Sequence, residues 1–262
     1  MNTRLIRFAL ALILSTIALE AFAQNNRSFV ATFGNDANNC TPGSECRSFT
    51  RAMAVTNAGG EIIAISSGGY GAFTIAKAVT VIGAPGITAS ITVTGIDGIG
   101  IAAAGSDRVT IRGLNITQTA GGHSGINASS FGSLSIENCT ITGGTYGITI
   151  AGGATDPVVS AVDFVSLASS YGVYVSSTVA AHNVALNLDH AMISGNTSHG
   201  LYADGAGAGA VYVRVTNSMV TENAGIGFYQ TGTASFESLS NNLVAGNLGG
   251  DTVGAITPIA GH

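Results

Sequence analysis

Short runs along most of the chain alternate apolar and polar residues, as in Val109-Thr110-Ile111, Leu134-Ser135-Ile136 and Val213-Arg214-Val215. A period of two buries one face of a β-strand and leaves the other wet. A turn follows each run, then glycine with an apolar residue: Gly125-Ile126, Gly147-Ile148, Gly172-Val173, Gly200-Leu201, Gly227-Phe228. Aligned on inward positions, the segments form a ladder of Ile116, Ile141, Val165, Ile193, Val220 and Val244, spaced 24 to 28 residues apart. Strands this short cannot bury themselves singly; stacking each repeat on the last buries a continuous core, at about 4.8 Å per coil. The predicted fold is all-β: a right-handed, single-stranded parallel β-helix, a solenoid of about seven coils. A left-handed hexapeptide helix would need a six-residue repeat, which is absent, and a β-sandwich would not explain steps near 25.

Asn196, Asn223 and Asn247 each follow an anchor by three residues. Stacked at a turn, their amides can hydrogen-bond from coil to coil as an asparagine ladder. Gly144 and Ala168 hold that place in earlier coils, so the ladder is expected only in the C-terminal half. Before the coils, Arg47 to Asn57 carries Phe49, Ala52 and Met53 at helical spacing and stops at Gly59-Gly60. That pattern predicts an N-terminal capping helix over the open first coil. The domain reading is 1–23 signal peptide; 24–59 cap of strand, disulfide loop and helix; 60–250 parallel β-helix; and 251–262 C-terminal tail without a cap pattern.

Arg4 and Arg7 precede an apolar run from Phe8 to Leu19 closed by Ala21-Phe22-Ala23, the pattern of a signal peptide cleaved before Gln24. The product is expected to be secreted or periplasmic. No other apolar run is long enough for a membrane span. Outside that segment 7 basic and 13 acidic residues remain, a poor match for nucleic acid or an anionic membrane surface. The 37 glycines, 9% charged residues and absence of Trp favour strands and turns, and 46% hydrophobic residues argue against disorder. Cys40 and Cys46 flank a turn-rich loop and suit a local disulfide in an oxidising compartment, the alternative being two free thiols. Cys139, between apolar strand residues, reads as a small buried filler.

Phe29-Val30-Ala31, Gly34-Asn35-Asp36-Ala37-Asn38, Cys46-Arg47-Ser48-Phe49, Gly60-Glu61-Ile62-Ile63 and Gly68-Gly69-Tyr70 resemble the opening segment of secreted parallel β-helix proteins of the pectate-lyase-like superfamily. The resemblance is close from Phe29 to Ile75 and a loose repeat beyond. It implies the fold. It implies no single activity, because that superfamily includes lyases, hydrolases, phage tailspikes and adhesins.

A polysaccharide lyase needs a cation, commonly Ca²⁺ held by several carboxylates, and a base, often Arg or Lys; a hydrolase needs two carboxylates about 5 to 9.5 Å apart. The alignment stacks Arg112 on Glu137 and sets Asp189 diagonal to Arg214. These opposite-charge pairs read as cross-coil salt bridges, and as catalytic candidates only under a lyase reading. No two carboxylates share a stacked column, and no metal-ligand spacing is present. Gly122-His123-Ser124 and Ser198-His199-Gly200 read as solvent-facing turn histidines, and alternation places Asp189 and His190 on opposite faces of their strand. Asp36 reads as a turn cap. Of the Thr pairs, only Thr117 and Thr142 stack, too few for a flat ice-binding ladder. Tyr146, Tyr171, Tyr174, Tyr202, Tyr212 and Tyr229 suit stacking on sugars, with Tyr212 outward beside Arg214, against the plainer reading that most edge the core.

The reading adopted is an exported, non-catalytic β-helix repeat protein that presents a polar face to a polysaccharide or a cell-surface glycan, without a cofactor. The alternative is a lyase acting on acidic polysaccharide, with Arg112 or Arg214 as base and Ca²⁺ as its cation. The oligomeric state is not readable.

Overall fold

The computed structural model describes residues 25–152, 156–177, 179, 182–207 and 209–260; the expected signal peptide and its cleavage point lie outside them. Each coil gives one strand to each of three parallel sheets. A representative coil runs Arg108–Arg112, Leu114–Gln118, Ser124–Ser130, and the sheets holding these strands are termed A, B and C. Among the described residues sheet A has ten strands and sheets B and C eight each, about seven coil-to-coil steps of a parallel β-solenoid.

Inward residues stack like on like. In sheet A one column reads Val81, Ile111, Ile136, Ala161, Leu188, Val215, all buried. Each large aliphatic in such a column contributes roughly 1.5–3 kcal/mol of burial, and the columns repeat on all three walls. In sheet B the column is Ile91, Ile116, Ile141, Ser166, Ile193, Val220, Val244. Ser166, not Val165, therefore holds the inward place; Val165 sits between Thr140 and Met192 on the outer side. An alignment that seeks apolar anchors slips by one here. The core accepts Ser166 because its hydroxyl donates to the Gly172 carbonyl at 3.1 Å.

Correcting that register lengthens the asparagine ladder. Ser169, rather than Ala168, lies three residues after the anchor, and its amide donates to Asn196 Oδ1 at 3.1 Å. Below it Asn196 Nδ2 donates to Asn223 Oδ1 and Asn223 Nδ2 to Asn247 Oδ1, both at 2.7 Å. Asn247 Nδ2 closes on Asp251 at 3.0 Å. The repeated glycine beside this ladder is a matter of space: a Cβ on Gly200 would lie 2.5 Å from Val220 Cγ1 and 2.8 Å from the Gly227 carbonyl. The threonine column also gains a member, since Thr92 stacks on Thr117 and Thr142 before Leu167 ends it.

At the N-terminal end, strand Asn25–Val30 pairs with Thr56–Ala64. Its outer edge is covered by the loop that the Cys40–Cys46 disulfide closes: Phe29 N donates to the Cys40 carbonyl and Cys46 N to the Phe29 carbonyl. Helix α1 (Phe49–Val55) lies over the first coil, with Phe49 stacked on Phe73 at 4.7 Å. It is shorter than the sequence pattern suggested. Thr56 ends it, not Gly59-Gly60, because Thr56 already pairs with Asn25 in sheet A and its hydroxyl takes the Ala52 carbonyl at 2.6 Å. At the other end, Gly250–Val253 and Ile256–Ile259 add strands to sheets C and A, so the coils run on into the segment expected as a tail. Among the described residues no helix is long and apolar enough to cross a membrane.

Candidate functional site

Sheet A carries the arginine candidates on its outer face. Arg112 Nε donates to Glu137 at 2.8 Å, directly across one coil step. Arg214 does not meet Asp189. Its Nε and Nη2 both reach Glu237, at 2.9 and 2.6 Å, because Glu237 lies straight across from it and Asp189 is a diagonal away. Arg27 and Glu61 make a third such pair. Asp189 instead accepts from Asn217 Nδ2 at 2.8 Å and meets His190 Nδ1 at 3.0 Å. Burial opposes the Asp189 charge, but these bonds outweigh it and hold the carboxyl below its usual range. Asp189 and His190 thus share a face, against simple alternation. His190 has φ 52°, in a column of left-handed turn residues with Asn138, Asp163 and Asn217, and this reverses its side chain. Tyr212, 48% exposed, does face outward beside Arg214, over a depression of only about 110 Å³.

The larger constellation lies on sheet C. One outward column reads Thr74, Gly100, Asn127, Thr149, Tyr174, Tyr202, Tyr229. Beside it stand Ser124, Tyr146 and Tyr171, then His199. Ring centroids step along the helix axis at 5.1 Å from Tyr146 to Tyr171, 5.5 Å to His199 and 4.7 Å to Tyr229, and at 5.3 and 4.7 Å from Tyr174 through Tyr202 to Tyr229. All six rings are half-buried. His199 is not a free turn histidine: Nδ1 accepts from Ile226 N at 2.9 Å, and burial lowers its pKa. The Tyr174 hydroxyl donates to Asp204 at 2.8 Å; burial first, and that bond second, push it up to about 12. Thr231 Oγ1 holds the other Asp204 oxygen at 3.2 Å. The sequence did carry this ladder, as an aromatic residue before the repeated glycine and a tyrosine two after it: Tyr171-Gly172-Val173-Tyr174 and His199-Gly200-Leu201-Tyr202.

At the N-terminal end the column opens into a pocket of about 710 Å³ between α1 and the first coils. Asp97 lines it, accepting from Ser124 N at 2.8 Å and Asn127 Nδ2 at 2.7 Å.

A resident Ca²⁺ would take six to eight oxygens, mostly from converging carboxylates. Among the described residues no three His, Cys, Asp or Glu side chains converge. Glu137 is engaged by Ser135 and Arg112, which hold its pKa down; Glu237 by Arg214; Asp204 by Tyr174 and Thr231. The residues present do not fit that ion. Both arginine candidates are already held in ion pairs with Glu137 and Glu237.

A family model described as right handed beta helix region matches residues 87–250. The chain belongs to that family. This β-helix protein is similar to the crystal structure of the pectate lyase Pel9A, with 16% identity and a TM-score of 0.56 over 85% of this chain and 71% of the lyase. A rhamnogalacturonan lyase aligns at 11% identity and a TM-score of 0.45, over 82% of this chain and 74% of its own. At these identities the likeness is one of fold. No curated protein matches the sequence.

Proposed function

We propose that this β-helix protein binds a polysaccharide along the outer face of sheet C without cleaving it. The observation that carries the reading is the double column of Tyr146, Tyr171, His199 and Tyr174, Tyr202, Tyr229, with rings repeating at the spacing of the coils. Stacked on one another, the rings offer a sugar their edges and hydroxyls, while Asp204, Thr231 and Asn127 supply hydrogen bonds beside them. The proposed face is therefore that of sheet C rather than the surface at Tyr212.

Charge points to the class of glycan. No Lys or Arg occurs in any sheet C strand, whereas Asp204 and Asp251 do. A polyuronate would bring one negative charge per sugar to strands that carry no Lys or Arg, with Lys77 only at their N-terminal end, so a neutral polysaccharide or cell-surface glycan is favoured. Export belongs to the same reading, supported by the disulfide and by the expected signal peptide at 1–23.

The test is a panel of immobilised neutral and acidic glycans. Wild type should bind neutral members, and Tyr202→Ala should weaken binding about tenfold, equivalent to ~1.4 kcal/mol, with an unchanged melting temperature. Binding to no glycan would sink the proposal. Ca²⁺-dependent formation of unsaturated sugars from polygalacturonate or alginate would replace it with the lyase reading.

A further inference from the structure

We infer that the pocket between α1 and the first coils is a terminal subsite, which holds the end sugar of the polysaccharide whose following residues lie over the tyrosines; this rests on the glycan-binding reading above. The outer face of sheet C is closed at this end. Phe73–Ile75 is the last strand of sheet C, and helix α1 covers it, so a chain lying along the column meets a wall made by Thr50, Met53 and Ala54. At the opposite end the column leaves Tyr229 for Val253, which is 41% exposed, and among the described residues no helix stands in the way.

The pocket has the chemistry a sugar ring needs on all sides. Lys77, the chain's one lysine, donates from Nζ to the Thr56 carbonyl and has two further N–H groups to offer. Asp97 provides an acceptor across the same space. Met53, Ala54 and the exposed Ile96 supply apolar surface for a ring face. Connection to the ladder is direct. Asp97 binds Ser124 and Asn127, the Ser124 hydroxyl pairs with Thr149 at 2.9 Å, and Thr149 stacks on Tyr174. Thr74 and Gly100, the first members of the tyrosine column, form the pocket floor.

A site that takes only chain ends counts ends, not mass. The probes are xylan, mannan and a soluble β-glucan, each intact and partly hydrolysed, presented at equal mass to the full-length protein. Saturation binding should rise in proportion to the number of chain ends. Ala76→Trp, at an exposed position on the pocket rim, should weaken binding about tenfold and leave the melting temperature unchanged. Capacity that stays constant per unit mass, or full affinity in Ala76→Trp, would overturn the terminal subsite while leaving the tyrosine face standing. If none of the three probes, intact or shortened, binds wild type, and Tyr202→Ala changes nothing on the wider panel, the glycan reading falls and takes the subsite with it.

Discussion

The amide of Asn223 is fully buried and bonded on both sides: it accepts from Asn196 N at 3.1 Å and from Asn196 Nδ2 at 2.7 Å, and donates to Asn247. A side chain in this place has to offer a donor and an acceptor along one axis, which asparagine does and an aliphatic residue does not. Asn223→Ala should therefore cost more than its lost volume, because it strands buried groups of Asn196 and Asn247 at about 1–3 kcal/mol each. Chemical denaturation should show a fall of at least about 2 kcal/mol with an unchanged m-value, and a fall below half of that would show that water replaces the amide. Cys139 is the opposite case. It is buried with no partner thiol, and burial pushes its pKa up to about 11, so it serves as packing and not as a nucleophile.

At the scale of elements, the two ends of the solenoid are finished differently. The N-terminal end is closed by the disulfide loop and α1, and Asp36 ties them together: Oδ1 accepts from Arg47 N and Ser48 N, and Oδ2 from the Ser48 hydroxyl. Ser48 in turn caps α1 by accepting from Arg51 N at 3.1 Å. Slight burial works against the Asp36 charge, but these hydrogen bonds and Arg47 lower its pKa. A lowered folded value means stability that is fully present above the unfolded carboxyl value of about 3.9 and lost as pH falls through the folded one. Asp36→Ala should lower the melting temperature by a few degrees at pH 7, and its gap to wild type should close as pH falls below about 3.9 and through the lowered folded value. A gap independent of pH would show that the carboxylate charge is not what holds the cap. The C-terminal end has no covering element among the described residues, yet Pro258 sits in its last strand, where it removes one N–H from the exposed edge.

At the scale of the whole molecule, charge and aromaticity are segregated. The Arg27–Glu61, Arg112–Glu137 and Arg214–Glu237 pairs all lie on sheet A and neutralise one another, while the ring ladder lies on sheet C. Exposed pairs of this kind are worth about 0–1 kcal/mol each and leave little net field to steer an acidic polymer. Affinity for a neutral glycan should accordingly change less than about twofold between 0.05 and 0.5 M NaCl, a range over which screening falls from beyond 10 Å to a few Å. Isothermal titration at the two salt concentrations checks this, and a steep loss in high salt would mean that ionic contacts, not rings, carry the binding.

The chain's own pattern was enough to specify the period of the coils, the inward faces, the capping helix and the position of the asparagine ladder. These depend on local alternation and on burial, and the pattern fails only in the coil where a hydrogen-bonded Ser166, and not Val165, holds the inward place. The outward contacts were decided in three dimensions. Nothing buries an outward side chain, so its partner is whatever the accumulated register brings opposite, and coil lengths that vary by a few residues move that register. Hence Arg214 meets Glu237 and not Asp189, and a left-handed turn brings His190 back to Asp189. For the same reason the tyrosines, scattered in sequence from Tyr146 to Tyr229, become one face only once the coils are stacked.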